Sequence, residues 1–260
     1  MNIIQKMILK YRERMDEHIA VTVSAAAIHR ETFLPYKNYC KGEKDIVVCG
    51  AGPTLQKYQP IEGALHIAVN RAFLYEKVDF DIIFAQDMDG IRMVQQELID
   101  YRPKECVKFL AQTADMNQKT IPESLAIKCH ALRFNCDYYI YRDGFRSKPV
   151  LDLENRALGG MPNVGMSVMQ LALYMNPKRI YIVGCDMTGT HFTEAKQSRE
   201  ELKAEKKQYN DYWADENIRL LNKWQEIKEF ASIYYPETEI ISINPVGLKG
   251  IFVDRYQYEE

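Results

Sequence analysis

The sequence is short of several things, and each shortage removes a class of function. No stretch approaches the roughly 18 consecutive apolar residues that a membrane-spanning helix needs, so no transmembrane segment is expected. There is no excess of one charge: 34 Lys and Arg stand against 36 Asp and Glu, a net charge of −2. That balance argues against a nucleic-acid binder, which carries a basic surplus, and against an acidic disordered chain. The six cysteines form no CxxC, and no Cys/His pairs stand at ligand spacing. Reduced, buried thiols of a cytoplasmic protein are therefore expected, not disulfides or a zinc site. Internal repeats and low-complexity segments are absent. The opening MNIIQKMILKYRERMDEH is too charged after residue 10 for a signal peptide.

What is present is an ordinary globular composition, 47% hydrophobic and 27% charged over 260 residues. At this length roughly 70–75% of the unfolded surface can be buried, enough for a full core. Residues 1–30 suit a helix, with Ile4, Met7, Ile8, Tyr11 and Met15 at helical spacing. That helix is expected to pack on the domain, with an amphipathic surface helix as the alternative. Residues 31–44, with Pro35 and Gly42, read as a connector. From residue 45 short apolar runs recur, at Asp45–Cys49, Leu65–Asn70, Asp81–Gln86, Val107–Gln112, Leu125–His130, Arg179–Asp186 and Glu239–Asn244. Helical patterns separate several of them, at Ile91–Tyr101, Val164–Met175 and about Lys196–Tyr234.

Alternating strands and helices predict an α/β, Rossmann-like, mostly parallel sheet with helices on both faces. The expected organisation is an N-terminal helix and connector over 1–44, then one Rossmann-like domain over 45–260. Within it a long helical segment, about 192–235, precedes the last strand. Its charges cancel, eight basic against eight acidic over Lys196–Glu229, and it reads as a solvated surface pair or as a lid.

In such a sheet ligands bind beyond the carboxyl ends of the strands, near the point where strand order reverses. The first strand ends in Gly50-Ala51-Gly52-Pro53-Thr54. Glycines permit close backbone approach, and Pro suits the first helical position, so this turn is a candidate phosphate cradle or a bare turn and cap. The third glycine of GxGxxG and any GxxxxGK[ST] are missing. Asn70 and Arg71 end the second strand; the first is a turn former or a reader of base or sugar, the second a cation for a diphosphate or carboxylate. Asp87-Met88-Asp89 is a short Asp-x-Asp that either holds Mg²⁺ against phosphates or caps the next helix. Asn163, Val164 and Gly165 open a second glycine-rich helix entry, where close packing would equally explain the glycine. Asp186, Thr188 and His191 lie beyond another strand, and His191 is a candidate general base.

Taken together, IVVCGAGPTL, IAVNRAF, IIFAQD and GMSVMQLALYMNPKRIYIVGCDMTGTHF resemble a family of Rossmann-like proteins. It comprises motility accessory factors and 6-hydroxymethylpterin diphosphokinase-like proteins, and is related to the bacterial lipo-oligosaccharide sialyltransferases. The likeness runs over about residues 45–191, and ISINPVGLKGIF resembles the group's last strand and turn. It implies a nucleotide contact at Gly50, Gly52, Pro53, Thr54, Asn70 and Gly165. Ala51 and Val164 replace the Asn and Ser of the sialyltransferase pattern, Asp87 stands where those enzymes carry Asn, and their later His-Ser-Lys is absent. His191 instead matches a histidine of the motility-factor and pterin branch.

The resemblance therefore implies a glycosyltransferase that uses a nucleotide-activated sugar, CMP-linked and sialic-acid-like, in surface glycan (polysaccharide) biosynthesis. His191 and Asp186 would be catalytic, and the acceptor a glycan or small molecule. The alternatives are a Mg²⁺-dependent diphosphotransferase acting on a pterin, with Asp87 and Asp89 on the metal, or a non-catalytic nucleotide-binding protein. The expected location is cytoplasmic, or peripheral at the inner membrane face. A homo-oligomer is left open.

Overall fold

The computed structural model describes residues 2–112, 120–137, 148–159, 163–187, 192 and 220–257. Its centre is β1 (Asp45–Cys49), a β-branched run that pairs in parallel with β2 (Leu65–Val69) on one side and β8 (Arg179–Val183) on the other. From β2 the sheet extends through β3 (Ile82–Ala85), β4 (Val107–Ala111) and β5 (Leu132–Phe134). From β8 it extends through β9 (Glu239–Ile243) to β10 (Val253–Arg255). All eight strands are parallel, in the order β10-β9-β8-β1-β2-β3-β4-β5. A separate parallel pair joins β6 (Cys136–Asp137) to β7 (Leu158–Gly159).

The six strands between the edge strands β10 and β5 are apolar at most positions because both sheet faces are covered. Ile46, Val48, Ile67, Phe84 and Ile182 face a core shared with Phe33 of α1 (Ile3–Phe33), the buried α4 (Val164–Tyr174) and Trp224. Val47, Cys49, Ala68, Ile83, Tyr181 and Val183 face the other core. That core is closed by Leu55, Phe73, Leu98 of α2 (Gln95–Asp100) and Leu125 of α3 (Glu123–Lys128). Trp224 and Ile227 lie on α5, helical over 220–234. Each fully buried large aliphatic contributes roughly 1.5–3 kcal/mol, so one register slip would invert both layers at once.

Four expectations need correcting. The run Leu125–His130 is not a strand: Glu123–Lys128 is helix α3, and the strand comes after it at Leu132–Phe134. Pro122 starts the helix, Glu123 lies in its first turn and Lys128 in its last, and Leu125 and Cys129 share one buried face while Ile127 points outward. The expected helix Ile91–Tyr101 is instead a 3-10 turn, Arg92–Val94, followed by the short α2. α1 runs to Phe33, and Leu34-Pro35-Tyr36 continues it as a 3-10 turn. Only the later part of α1 packs: Ala25, His29, Thr32 and Phe33 are buried, whereas the described side chains over 2–13 are all exposed. In the expected helical stretch about Lys196–Tyr234, 193–219 lie outside the described residues.

His29 pins α1 to the domain. Its Nδ1 faces the carbonyls of Leu153 (2.9 Å) and Arg156 (2.8 Å), and its Nε2 accepts from the Asn135 amide (2.8 Å). Those partners require the neutral ring with its proton on Nδ1. Burial lowers its pKa to about 4, partly opposed by the two carbonyls.

Candidate functional site

Strand order reverses between β1 and β8, and the loops leaving these two strands are pressed together there. A Cβ on Gly50 would lie 2.4 Å from the Gly184 carbonyl oxygen, and one on Gly52 would lie 2.6 Å from both that oxygen and Asp186 Oδ2. Gly184 itself takes the left-handed backbone, φ +69°. The glycines of this turn thus serve loop-to-loop approach across the switch point.

Three of the turn's amides, those of Gly50, Gly52 and Thr54, are also engaged. Gly50 N–H donates to Val183 O (2.8 Å) and Gly52 N–H to Gly184 O (2.7 Å). Pro53 begins a 3-10 turn, Pro53–Lys57, whose Thr54 N–H donates to Asp186 Oδ2 (2.7 Å). Thr54 Oγ1 donates to Asp186 Oδ1 (2.5 Å) and accepts from Gly184 N–H (3.2 Å). Asp186 is almost wholly buried, and that burial pushes its pKa up against the lowering effect of the two Thr54 bonds. The anion that sits at this short turn is the protein's own carboxylate. Ala51 accepts at its carbonyl from the Phe192 amide, which brings the chain beyond Asp186 back over the turn. Thr188 and His191 lie outside the described residues.

One strand further along the rim, Asn70 ends β2 with φ +52° and opens the 3-10 turn Asn70–Leu74, with Arg71 half-buried beside it. Asn70 Oδ1 is buried and has no hydrogen-bond partner. Its amide group lies against Gly90, where a Cβ would come within 2.5 Å of it. Gly90 belongs to the loop after β3. There Asp87 Oδ1 accepts from Gly90 N–H (3.0 Å), and burial raises the Asp87 pKa. Asp89 instead points into solvent and pairs with Arg92. Asp87 is thus a buried carboxylate bonded to its own loop, and Asp89 an exposed one paired to arginine. Among the described residues no cluster of three or more His, Cys, Asp or Glu could hold a metal.

α4 enters from the same rim, since its last turn hydrogen-bonds the connector before β1, at the amino ends of the strands, Asn38 N–H to Tyr174 O (3.0 Å). Asn163 caps α4 by accepting from Gly165 N–H (2.7 Å), and Val164 is half-buried. A Cβ on Gly165 would lie 3.0 Å from the Trp224 ring, so close packing explains that glycine. Ser167, on the same helix, donates to Gln86 Oε1 (2.7 Å), joining α4 to the end of β3. A cavity of about 10 Å³ between α4 and α5, lined by Gln170, Lys223 and Glu226 among others, has room for one water and no more.

The sequence reading missed Asn244 and Gly90. Asn244 ends β9 with φ +48° and keeps a buried Nδ2 without a partner, as Asn70 keeps its Oδ1. The signal was available: in both, Asn comes directly after an apolar run. Gly90 carries no signal of its own until Asn70 is seen to rest on it.

No family model matches the sequence, and no curated protein matches it. The likeness found is to solved structures. The chain is similar to a bacterial sialyltransferase. Against CstII from Campylobacter jejuni in complex with the substrate analogue CMP-3FNeuAc, identity is 12%, with 81% of this chain and 85% of that chain covered and a TM-score of 0.45. Against CST-II in complex with a trisaccharide acceptor and CMP, identity is 14%, coverage is again 81% and 85%, and the TM-score is 0.44. The described chain contains no helix long and apolar enough to cross a membrane.

Proposed function

We propose that this chain is a glycosyltransferase that takes a nucleotide-activated sugar, with a CMP-linked acidic sugar as the first donor to try, and transfers it to a glycan or small-molecule hydroxyl. The observation that carries the reading is Asn70: a buried carbonyl oxygen without a partner, at a strand end next to the switch point, on a backbone that needs Asn or Gly. An unpaired buried acceptor costs about 1–3 kcal/mol, a cost that a ligand N–H, such as the amino group of a cytosine, would remove on binding. The sequence resemblance supplies the choice of nucleotide and of surface-glycan synthesis.

In this reading the Gly50–Thr54 turn shapes the floor of the crevice, because the Gly50, Gly52 and Thr54 amides are already bonded, and Asp186 positions the loop beyond it through Thr54. Asn163, Val164 and Gly165 form the wall opposite, and Arg71 faces the donor's acidic groups. Burial raises the pKa of Asp87, against the lowering effect of the Gly90 N–H, and sets this side chain beside the donor site. The reaction breaks the bond between the anomeric carbon and the nucleotide's phosphate oxygen and forms one to the acceptor oxygen. His191 takes the acceptor's proton, and Thr188 bonds the donor or acceptor on the same loop.

The test is a melting-temperature screen with CMP, CDP, UDP and GDP, and then nucleotide release from the matching sugar donors. A nucleotide at 100 times its dissociation constant adds about 2.7 kcal/mol. Asn70→Gly keeps the backbone geometry and removes the amide, so it should weaken binding at least about tenfold while leaving the melting temperature of the free protein within a degree or two. If no nucleotide stabilises the chain, or if Asn70→Gly binds as tightly as the parent, the reading fails.

A further inference from the structure

The first half of α1 reaches away from the domain. From Ile3 to Val23 the helix is about 30 Å long, and the first buried residue among its described side chains is Ala25. A helical segment whose side chains are exposed, as they are over 2–13, is marginal in water even when well capped. Yet this one is capped, by the reciprocal bonds of Asn2 and Gln5. Its exposed apolar side chains are large: Ile3 is 77% accessible, Ile4 66%, Met7 67%, Ile8 51% and Tyr11 63%. At about 100° per residue, these and the half-buried Met15 fall within one arc of about 140°, with Leu9, 47% accessible, outside it. Lys6 and Lys10 border that arc on one side and Arg12 on the other. Residues 3–15 hold four cations, Lys6, Lys10, Arg12 and Arg14, against one acid, Glu13, in a chain whose net charge is −2.

Two occupants would cover such a face, a second copy of the helix or a lipid surface. A helix pair needs apolar residues repeating over three to four heptads in a narrow seam. Here the repeat Ile4, Ile8, Tyr11, Met15 passes next to His18 and Thr22, and the arc is wider than a seam. A broad apolar arc edged by cations, with an aromatic ring among it, is instead the pattern of a helix lying in a bilayer interface. Lysine stems can run along the acyl boundary while their ammonium groups meet lipid phosphates. We infer that residues 3–15 of α1 dock the protein, side-on, to an anionic phospholipid surface.

The test is sedimentation of the full chain with vesicles of phosphatidylcholine alone and of phosphatidylcholine with about one third phosphatidylglycerol. The chain should partition into the anionic vesicles roughly a hundredfold better, about fivefold for each of three cations, and lose most of that advantage in high salt. Lys6→Glu/Lys10→Glu should lower partitioning by at least about thirtyfold, and Lys6→Arg/Lys10→Arg should keep it. Ile4→Glu/Ile8→Glu should abolish it. These positions are exposed, so nucleotide-induced stabilisation should be the same in every variant, which separates this inference from the transferase reading. Equal binding to both vesicles, binding to neither by folded protein, or variants that change only the sedimenting mass from dimer to monomer would overturn it.

Discussion

At the scale of single residues, the switch-point turn is over-determined by contacts. Gly52→Ala would drive a methyl group into Gly184 O and the Asp186 carboxylate, so the loop must open. A loss of about 1–3 kcal/mol is expected, read by chemical denaturation at constant m-value. His29 gives a sign that can be checked. Its pKa is about 4 in the fold and about 6.5 when unfolded, so the unfolded chain binds the extra proton between these values. Stability should therefore be full above about pH 6.5 and fall toward pH 4, by an amount on the order of 2–3 kcal/mol. Unfolding at stepped pH should show this slope, and His29→Gln should flatten it while being less stable near neutrality.

Among the elements, α1 is divided. Its last two turns belong to the core, where Phe33 stacks on Phe109 with centroids 5.7 Å apart. Phe33→Ala should cost about 3–5 kcal/mol in the unfolding free energy, whereas Ile8→Glu should leave it unchanged within about 0.5 kcal/mol. The helix itself was legible from Ile4, Met7, Ile8 and Tyr11 because the period is clear. Which half of it packs was not, because an exposed stripe and a buried one share the same spacing. β1, β8 and β9 were readable as β-branched runs, since a strand covered on both faces has no alternation to confuse. Leu125–His130 was misread because a six-residue amphipathic helix and a short strand carry similar apolar counts; Pro122 and the terminal charges hold the deciding information. At the site, Asp186 and Gly52 were legible as strand-end residues, but not their mutual contact. The turn and the carboxylate are joined through positions 132 residues apart, Thr54 to Asp186, and no local pattern reports it.

For the whole molecule, two consequences of the charge arrangement and the strand order can be measured. Since Asp89 is neutralised by Arg92 and Asp87 bonds its own loop, a chelator should leave nucleotide-dependent stabilisation unchanged. A loss of the melting shift on adding EDTA, restored by Mg²⁺, would show a metal arriving with the nucleotide. The second consequence is kinetic. β1 is first along the sheet's chain path but obtains its second neighbour, β8, only after more than a hundred residues have been laid down, as the Asp45–Arg179 pair spans 134 positions. Contacts of such long range are the slow ones to form. During refolding, the half from β1 to β5 can assemble while the crevice is still an open edge. Ligand competence should then return later than helical signal, and in the interval the unpaired flank of β1 is where an intermediate would stick to its neighbours.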